Sequence, residues 1–407
     1  MSTPQKKVHL GLIPRLIIAI VLGILCGTYL PDSITRIAIT FSKFFGQFLS
    51  FVIPLMIVAF VTKGIADLGE GAGKLLGVTA GTSYISTLIG GSLAYFMASN
   101  IFPSFISENL VKSLTEGPEE LAPYFSIDLK PFFDVTSAIV FAFMFGITVS
   151  WLRRQGRGET TYNLLTDFND IIAKILGSAI VPVLPFYIFG NFASMAQTGS
   201  VMGVMNIFWK IFLCIICLHI IYVSIMFIVA GAYTGKNPFQ LIKNQVRGYL
   251  TAVGTQSSAA TIPVNLECAK KNGVSKQIRE FVIPLCATVH MPGSMITLTS
   301  CVFTILAIYG LPHSYGLLIR FIAILGIAMV AAPGAPGGAV MSALPFVPMV
   351  GMATDSPMAS LLITLYLTQD SFGTAANISG DNAIAVAVDK FYHKNILKKP
   401  YTGTTID

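Results

Sequence analysis

The chain has 407 residues, 54% of them hydrophobic and only 11% charged, with a formal net charge of +7. Soluble domains carry about 25% charged residues, so the composition excludes an ordinary soluble globule and indicates a multi-pass helical membrane protein whose first partner is the lipid bilayer. The basic residues gather at loops and tails, as in proteins that keep Lys and Arg on the cytoplasmic side, and give no argument for a nucleic-acid partner.

In chain order, the first sixteen residues hold Lys6, Lys7 and Arg15 ahead of an apolar run. No small-residue cleavage site with a soluble domain follows, so the run reads as a retained first span rather than a signal peptide. Stretches 16–30, 38–62 and 75–102 are the first three candidate spans, judged against the ~20 apolar residues that cross a hydrocarbon core. A polar segment then carries Glu108, Glu116, Glu119, Glu120 and Asp128. A fourth span, 131–152, ends in Arg153, Arg154 and Arg157, which places the acidic loop outside and the arginines inside. Spans near 163–196 and 202–233 follow, and the tail holds Lys390, Lys394, Lys398 and Lys399. Both termini are therefore expected in the cytoplasm, which requires an even number of crossings. The six cysteines fall almost entirely in apolar runs. Cys214 and Cys217 have CxxC spacing inside a span with no acidic residue close by, so buried small hydrophobes are expected rather than a redox or zinc site.

Two later segments interrupt the pattern. Residues 255–263 (Thr-Gln-Ser-Ser-Ala-Ala-Thr-Ile-Pro) are small and polar, and basic residues flank them on both sides. A chain that returns to its side of entry forms a re-entrant helical hairpin; the other reading is an ordinary loop. Residues 331–339 (Ala-Ala-Pro-Gly-Ala-Pro-Gly-Gly-Ala) interrupt a second apolar stretch. Gly and Pro leave backbone groups unpaired, which is tolerated at depth only where protein or a cavity satisfies them. A pair of interrupted segments is the sequence pointer to a transporter's binding site. Between them, Pro292-Gly293 is expected to break a span and free carbonyls for a cation. Beside that break, His290 reads as a proton-binding group, a hydrogen-bond donor or a packed interfacial residue. Met291 is core filler except for its place at the break.

The last span carries Asp370, Thr374, Asn377 and Asp381. At about 100° per residue the last three fall within roughly 40° of Asp370, making one polar stripe, with the two carboxylates about 16 Å apart along the axis. Ionisable groups at membrane depth are expensive and by default face a water- or ion-filled site. An N-cap or loop Asp at the bilayer edge accounts for one such residue, but not for the row.

These pieces, in this order, resemble the sodium:dicarboxylate/amino-acid symporter family, which includes glutamate transporters and neutral amino-acid exchangers. The resemblance covers essentially the whole chain and is strongest over 251–390. It implies an all-α integral membrane fold with eight transmembrane helices and two re-entrant hairpins, assembled as a homotrimer and working as an elevator. Residues 1–240 would form mainly the scaffold and trimer contacts, with the third and sixth spans joining the transport part. Residues 241–392 would form the transport core and 393–407 a cytoplasmic tail. The resemblance places substrate contacts at Asp370 (amino group), Thr374, Asn377 (carboxylate), Ser257 and Ser258 at the first hairpin tip, Ser294, Gly373, and Gly337 at the second tip. It places sodium ligation at Asp381, Asn377, His290, Met291, Cys286, Thr288, Val330 and Ala332. It implies no cofactor beyond coupling sodium ions, with protons as the alternative, and no enzymatic activity.

Departures from the family pattern bear on substrate and ion. Members selective for acidic amino acids have an arginine three residues after the substrate-binding Asp; here that residue is Gly373, and no Lys or Arg occurs over 321–389. Without that guanidinium fork, a substrate's second carboxylate would be desolvated and unpaired, at a cost of several kcal/mol. Gln256 likewise replaces an arginine found in some members. A small neutral amino acid such as serine, threonine or alanine is expected, with sulfur-containing or acidic substrates as alternatives. The family's Asn-Met-Asp-Gly-Thr becomes His290-Met291-Pro292-Gly293-Ser294. Losing the Asp weakens the deepest sodium site, even with Tyr84 and Thr87 nearby. From other classes, an ion channel lacks a filter-like repeat. A membrane aspartic protease is excluded by two Asp residues three turns apart on one helix. A Ser/His hydrolase using Ser257 or Ser258 with His290 stays open at this level.

Overall fold

A computed structural model describes residues 12–67, 73–115, 121–132, 135–329 and 337–401. Among these there are helices and connecting turns and no strand. The first helices are α1 (Leu12–Tyr29), α2 (Asp32–Asp67), α3 (Gly73–Ile101), the short α4 (Glu108–Thr115) and α5 (Val135–Arg154). Helix α6 (Glu159–Ile175) continues through a π turn into α7 (Val181–Gln197), and α8 spans Val201–Thr234. Among the described residues, five helical stretches are long and apolar enough to cross a membrane: Asp32–Lys63, Lys74–Phe105, Glu159–Gln197, Val201–Thr234 and Lys276–Ile308.

The segment that the basic flanks mark as re-entrant is a tight helical hairpin. Helix α9 (Pro238–Thr255) begins at an Asn237 cap and α10 (Ser258–Lys271) at a Ser257 cap, each side chain accepting a backbone N–H. Gln256 makes the turn in the left-handed region, φ +53°. The broken span is α11 (Lys276–Val289) followed by α12 (Pro292–Ile308). The interruption lies one step earlier than the Pro-Gly pair suggests: His290 and Met291 are non-helical, and Pro292 opens α12. Proline lacks an N–H and has its φ preset, so it suits the first turn of a helix, and the break falls before it.

Helix α13 (Tyr315–Ala328) leads toward the second interrupted segment; Val330, Ala331, Ala332 and the rest of 330–336 lie outside the described residues. After it come α14 (Gly338–Ala343), a 3₁₀ stretch (Leu344–Val350) and α15 (Pro357–Phe391), which starts at a Ser356 cap with Pro357 in its first turn. Helices α12 and α15 pack on each other and are buried along almost their whole length. Around them lie α3, α8 and α9–α11, whereas α1, α2, α5, α6 and α7 pack chiefly among themselves. Helix α15 is as long as the spanning helices but is not among the five, since polar residues interrupt its apolar surface. The polar stripe thus sits on a helix enclosed along most of its length and packed on the still more buried α12.

Among the described residues all six cysteines are free thiols. Four are buried, but Cys217 is exposed on α8, a correction to the expectation of uniform burial. In an apolar helix that keeps one face outward, a small hydrophobe is accommodated on either side.

Candidate functional site

Asp370, Thr374, Asn377 and Asp381 are all buried on the face of α15 turned to the broken helix. Their contacts divide into two centres. In the first, Asp370 Oδ2 accepts the Gly337 N–H at 2.7 Å and Oδ1 accepts the Tyr366 hydroxyl at 2.9 Å. The same hydroxyl is 3.1 Å from Ser294 Oγ, to which Asn377 Nδ2 donates at 3.0 Å. Asn377 Oδ1 accepts the Gly293 N–H at 2.8 Å and the Ser294 N–H at 3.3 Å. The start of α12 is therefore clamped by an amide side chain from α15, which satisfies N–H groups that a helix N-terminus leaves open.

Backbone approach at this clamp is close. A β-carbon on Gly293 would sit 2.3 Å from the Gly373 carbonyl oxygen, so only glycine fits. At Gly373 the nearest atoms to an added β-carbon are Gly293 C and Ser294 N, both at 3.5 Å, an ordinary contact. Glycine at 373 is therefore not imposed by packing at the β-carbon position.

The second centre is one helical stretch further along. His290 Nδ1 lies 2.9 Å from Asp381 Oδ1, and His290 Nε2 lies 2.9 Å from Ser86 Oγ on α3. The Tyr222 hydroxyl of α8 donates to the Ser86 carbonyl and lies 2.8 Å from Ser86 Oγ. Asp381 is fully buried, and its Oδ2 has no hydrogen-bond partner among the described residues. An orphaned carboxylate oxygen at this depth fits a small hard cation or a proton, since an uncompensated buried anion is costly. Met291 donates its N–H to Thr87 Oγ1 at 3.3 Å, and Cys286 Sγ lies 3.5 Å from Ser83 Oγ, which ties the break to α3. Among the described residues no group of three His, Cys, Asp or Glu has the arrangement of a transition-metal site.

The remaining expected residues are placed as follows. Ser257 and Ser258 stand at the tip of the first hairpin, with Ser258 buried. Behind the tip, Ala252 clusters with Ala375 and Ile378, and Asn265 Nδ2 donates to the Ile378 carbonyl, so the tip is carried toward the Thr374 level of α15. Gly337 reaches Asp370 directly. The Thr288 side chain is not brought to the others: it is exposed, its hydroxyl bonded to the Leu285 carbonyl. The Tyr84 hydroxyl donates to Ala323 of α13 instead of turning to the break, whereas Thr87 faces the break. Val330 and Ala332 fall outside the described residues.

Several residues with a place here were not singled out from the sequence. Tyr366 is one turn before Asp370, and that spacing alone marks it as a partner. His219 of α8 holds the Gly293 carbonyl through Nε2 at 2.9 Å, while its buried Nδ1 has no partner among the described residues. Ser86 and Tyr222 come from helices whose periodicity gives no hint of the contact.

Two buried carboxylates on one helix, neither with a Lys or Arg among its hydrogen-bond partners in the described residues, form a cation-accepting row at the centre of a membrane protein. The family model described as sodium:dicarboxylate symporter family matches residues 12–391. The chain belongs to the sodium:dicarboxylate symporter family. It is a multi-pass membrane transporter and not an enzyme. Among its relatives are serine/threonine transporters SstT of Acinetobacter baumannii strains AYE and AB0057, each 27% identical over 394 residues, with 94% of this chain and 97% of the relative covered. The symporter family's name supplies sodium as the coupling ion at family level.

Proposed function

We propose that this symporter takes up a small neutral amino acid, with serine or threonine first and alanine next, coupled to sodium. The observation that carries the reading is that, among the described residues, no guanidinium or ammonium hydrogen-bonds Asp370 or Asn377, at a position where the β-carbon of residue 373 has room. Asp370 would pair with the substrate ammonium in a charge-assisted contact. Asn377, Ser257 and Ser258 would receive its carboxylate, and Ser294 with Thr374 would meet a side-chain hydroxyl. The serine/threonine relatives support the same choice. Sodium would be held at Asp381, through its unpartnered Oδ2, and near Met291. With Pro292 in place of a carboxylate, fewer sodium ions would be coupled than in acidic-substrate members.

The fold that goes with this reading has eight transmembrane helices and two re-entrant hairpins, both termini cytoplasmic, three copies per assembly and an elevator motion. Helices α1, α2, α5, α6 and α7 would form the scaffold, and α3 with α8–α15 the moving part.

Uptake of labelled serine into proteoliposomes under an imposed sodium gradient tests the function. Saturable accumulation is expected, absent in Asp370→Asn and uninhibited by aspartate; inhibition by aspartate stronger than by serine would reverse the assignment. A Gly373→Arg variant is expected to gain aspartate binding and lose serine binding. The 2.9 Å contact between His290 and Asp381 favours one second reading, coupling to protons. Full uptake in sodium-free buffer across pH would establish it in place of sodium coupling.

A further inference from the structure

Away from the polar row, an apolar groove of about 370 Å³ opens between α3, α8 and α15. Its walls include Ile85 and Ile89 of α3, Ile225 and Val229 of α8, and Ala383 and Ala387 of α15. Val229 is 62% exposed and Ile85 58%, so large side chains face outward here with nothing from the described chain over them. Small residues on α15 set the depth of the groove, since the two alanines leave space that the flanking isoleucines do not fill.

Both ends of the groove are polar. At one end are Ser86 and Tyr222, whose hydroxyls are 2.8 Å apart. At the other end Tyr233 lines the groove, and Lys390 of α15 donates to the Tyr233 carbonyl and lies 4.9 Å from the ring centroid. Lys74, at the start of α3, lies 5.6 Å from the centroid of the Phe391 ring, and Phe391 follows Lys390 in α15. The carboxylate of this end, Asp389, accepts the Ser275 hydroxyl at 2.6 Å and lies 3.5 Å from His393 Nδ1; it remains one anion against the two lysines, which leaves one positive charge in excess among the three.

The length of the groove is informative. Tyr222 and Tyr233 are eleven residues apart on one helix, about 16 Å at 1.5 Å per residue. Half of a ~30 Å hydrocarbon core is about 15 Å. An apolar slot one leaflet deep, with two ammonium groups at its interfacial end, matches one acyl chain and the phosphate of an anionic phospholipid. A zwitterionic lipid satisfies the slot but gains less from the lysines, because a second charge offsets its phosphate.

We propose that the α3/α8/α15 groove is a binding site for one anionic phospholipid, its acyl chain against Ile85, Ile225 and Val229 and its phosphate on Lys74 and Lys390. This does not depend on which substrate or ion is carried. The site ends at Ser86 and Tyr222, so the lipid would sit directly behind the hydroxyls that buttress His290.

The test uses the full-length protein in nanodiscs of phosphatidylcholine containing a minor fraction of phosphatidylglycerol. After release into detergent, lipid retained per chain is read by native mass spectrometry. Phosphatidylglycerol is expected to be retained in preference, and Lys74→Gln with Lys390→Gln to lower that retention about thirtyfold, the scale of two lysines near a lipid phosphate. Val229→Trp, at an outward-facing position, is expected to lower it as well by filling the slot, with an unchanged melting temperature. Ala387→Leu serves the same purpose should the tryptophan disturb folding. Equal retention of both lipids, or retention unchanged by the lysine and groove-filling variants alike, overturns the proposal. So does efficient cross-linking of two copies through Val229→Cys, which would make the groove a protein–protein contact.

Discussion

Gly293 and Gly373 face each other across the clamp, yet they answer differently to an added methyl group. At 293 the β-carbon meets a backbone oxygen at 2.3 Å, which cannot move aside; at 373 it meets ordinary contacts. Gly293→Ala is therefore expected to destabilise the protein by about 1–3 kcal/mol and to stop uptake, while Gly373→Ala keeps both near wild type. Thermal melting and serine uptake of the two variants check this. Asp381 gives a second prediction at this scale. Its unpartnered Oδ2 makes it the expected seat of the cation, so Asp381→Asn should lose the rise in melting temperature that sodium gives the wild type. A sodium-dependent shift of unchanged size in that variant would remove Asp381 from the ion site. The four stripe residues were legible in the sequence because they share one helix, where 3.6-residue periodicity fixes which side chains align. His219, Ser86 and Tyr222 were not, because their contacts join helices far apart in the chain.

The first hairpin is held to α15 by amides rather than by charge. Gln245 Nε2 donates to Asn265 Oδ1 at 3.0 Å, Asn382 Nδ2 donates to Gln245 Oε1 at 2.6 Å, and Asn272 Nδ2 donates to Asn382 Oδ1 at 3.1 Å. All four residues are buried. Replacing Asn265 by Leu leaves the Gln245 amide short of a partner, which costs about 1–3 kcal/mol. The expected outcome is a lower melting temperature and faster hydrogen exchange in α9 and α10, with less change in α1 and α2. The hairpin itself was legible, since equal basic flanks around a short weakly apolar segment leave the chain little choice but to turn back. The position of the break in the next span was only partly so. Pro292-Gly293 announces an interruption, but whether a proline ends one helix or begins the next depends on where its ring finds room, and here that is the first turn of α12.

Across the whole molecule, the helices fall into two groups whose mutual contacts are fewer than those within each. One polar tie between them joins Ser50 of α2 to Thr354, just ahead of α15, at 2.8 Å. If the core around α12 and α15 slides past α2 during transport, a disulfide between cysteines at 50 and 354 should arrest uptake, and reduction should restore it. Transport at the wild-type rate with the bridge fully formed would argue against sliding at this contact. Membrane character followed from composition alone, because burying so many apolar residues with so few charges has no solution in water for a chain of this size. Family membership followed from short ordered segments that survive at low overall identity. By itself the sequence determined which residues are polar at depth and which helix carries them, since those are matters of local spacing and of the cost of placing charge in hydrocarbon. Only the tertiary structure decided what each carboxylate faces: a backbone N–H and a tyrosine for Asp370, a histidine and an open oxygen for Asp381. Partners of that kind are set by how distant helices dock, and docking depends on the shapes of whole buried faces rather than on any motif along the chain.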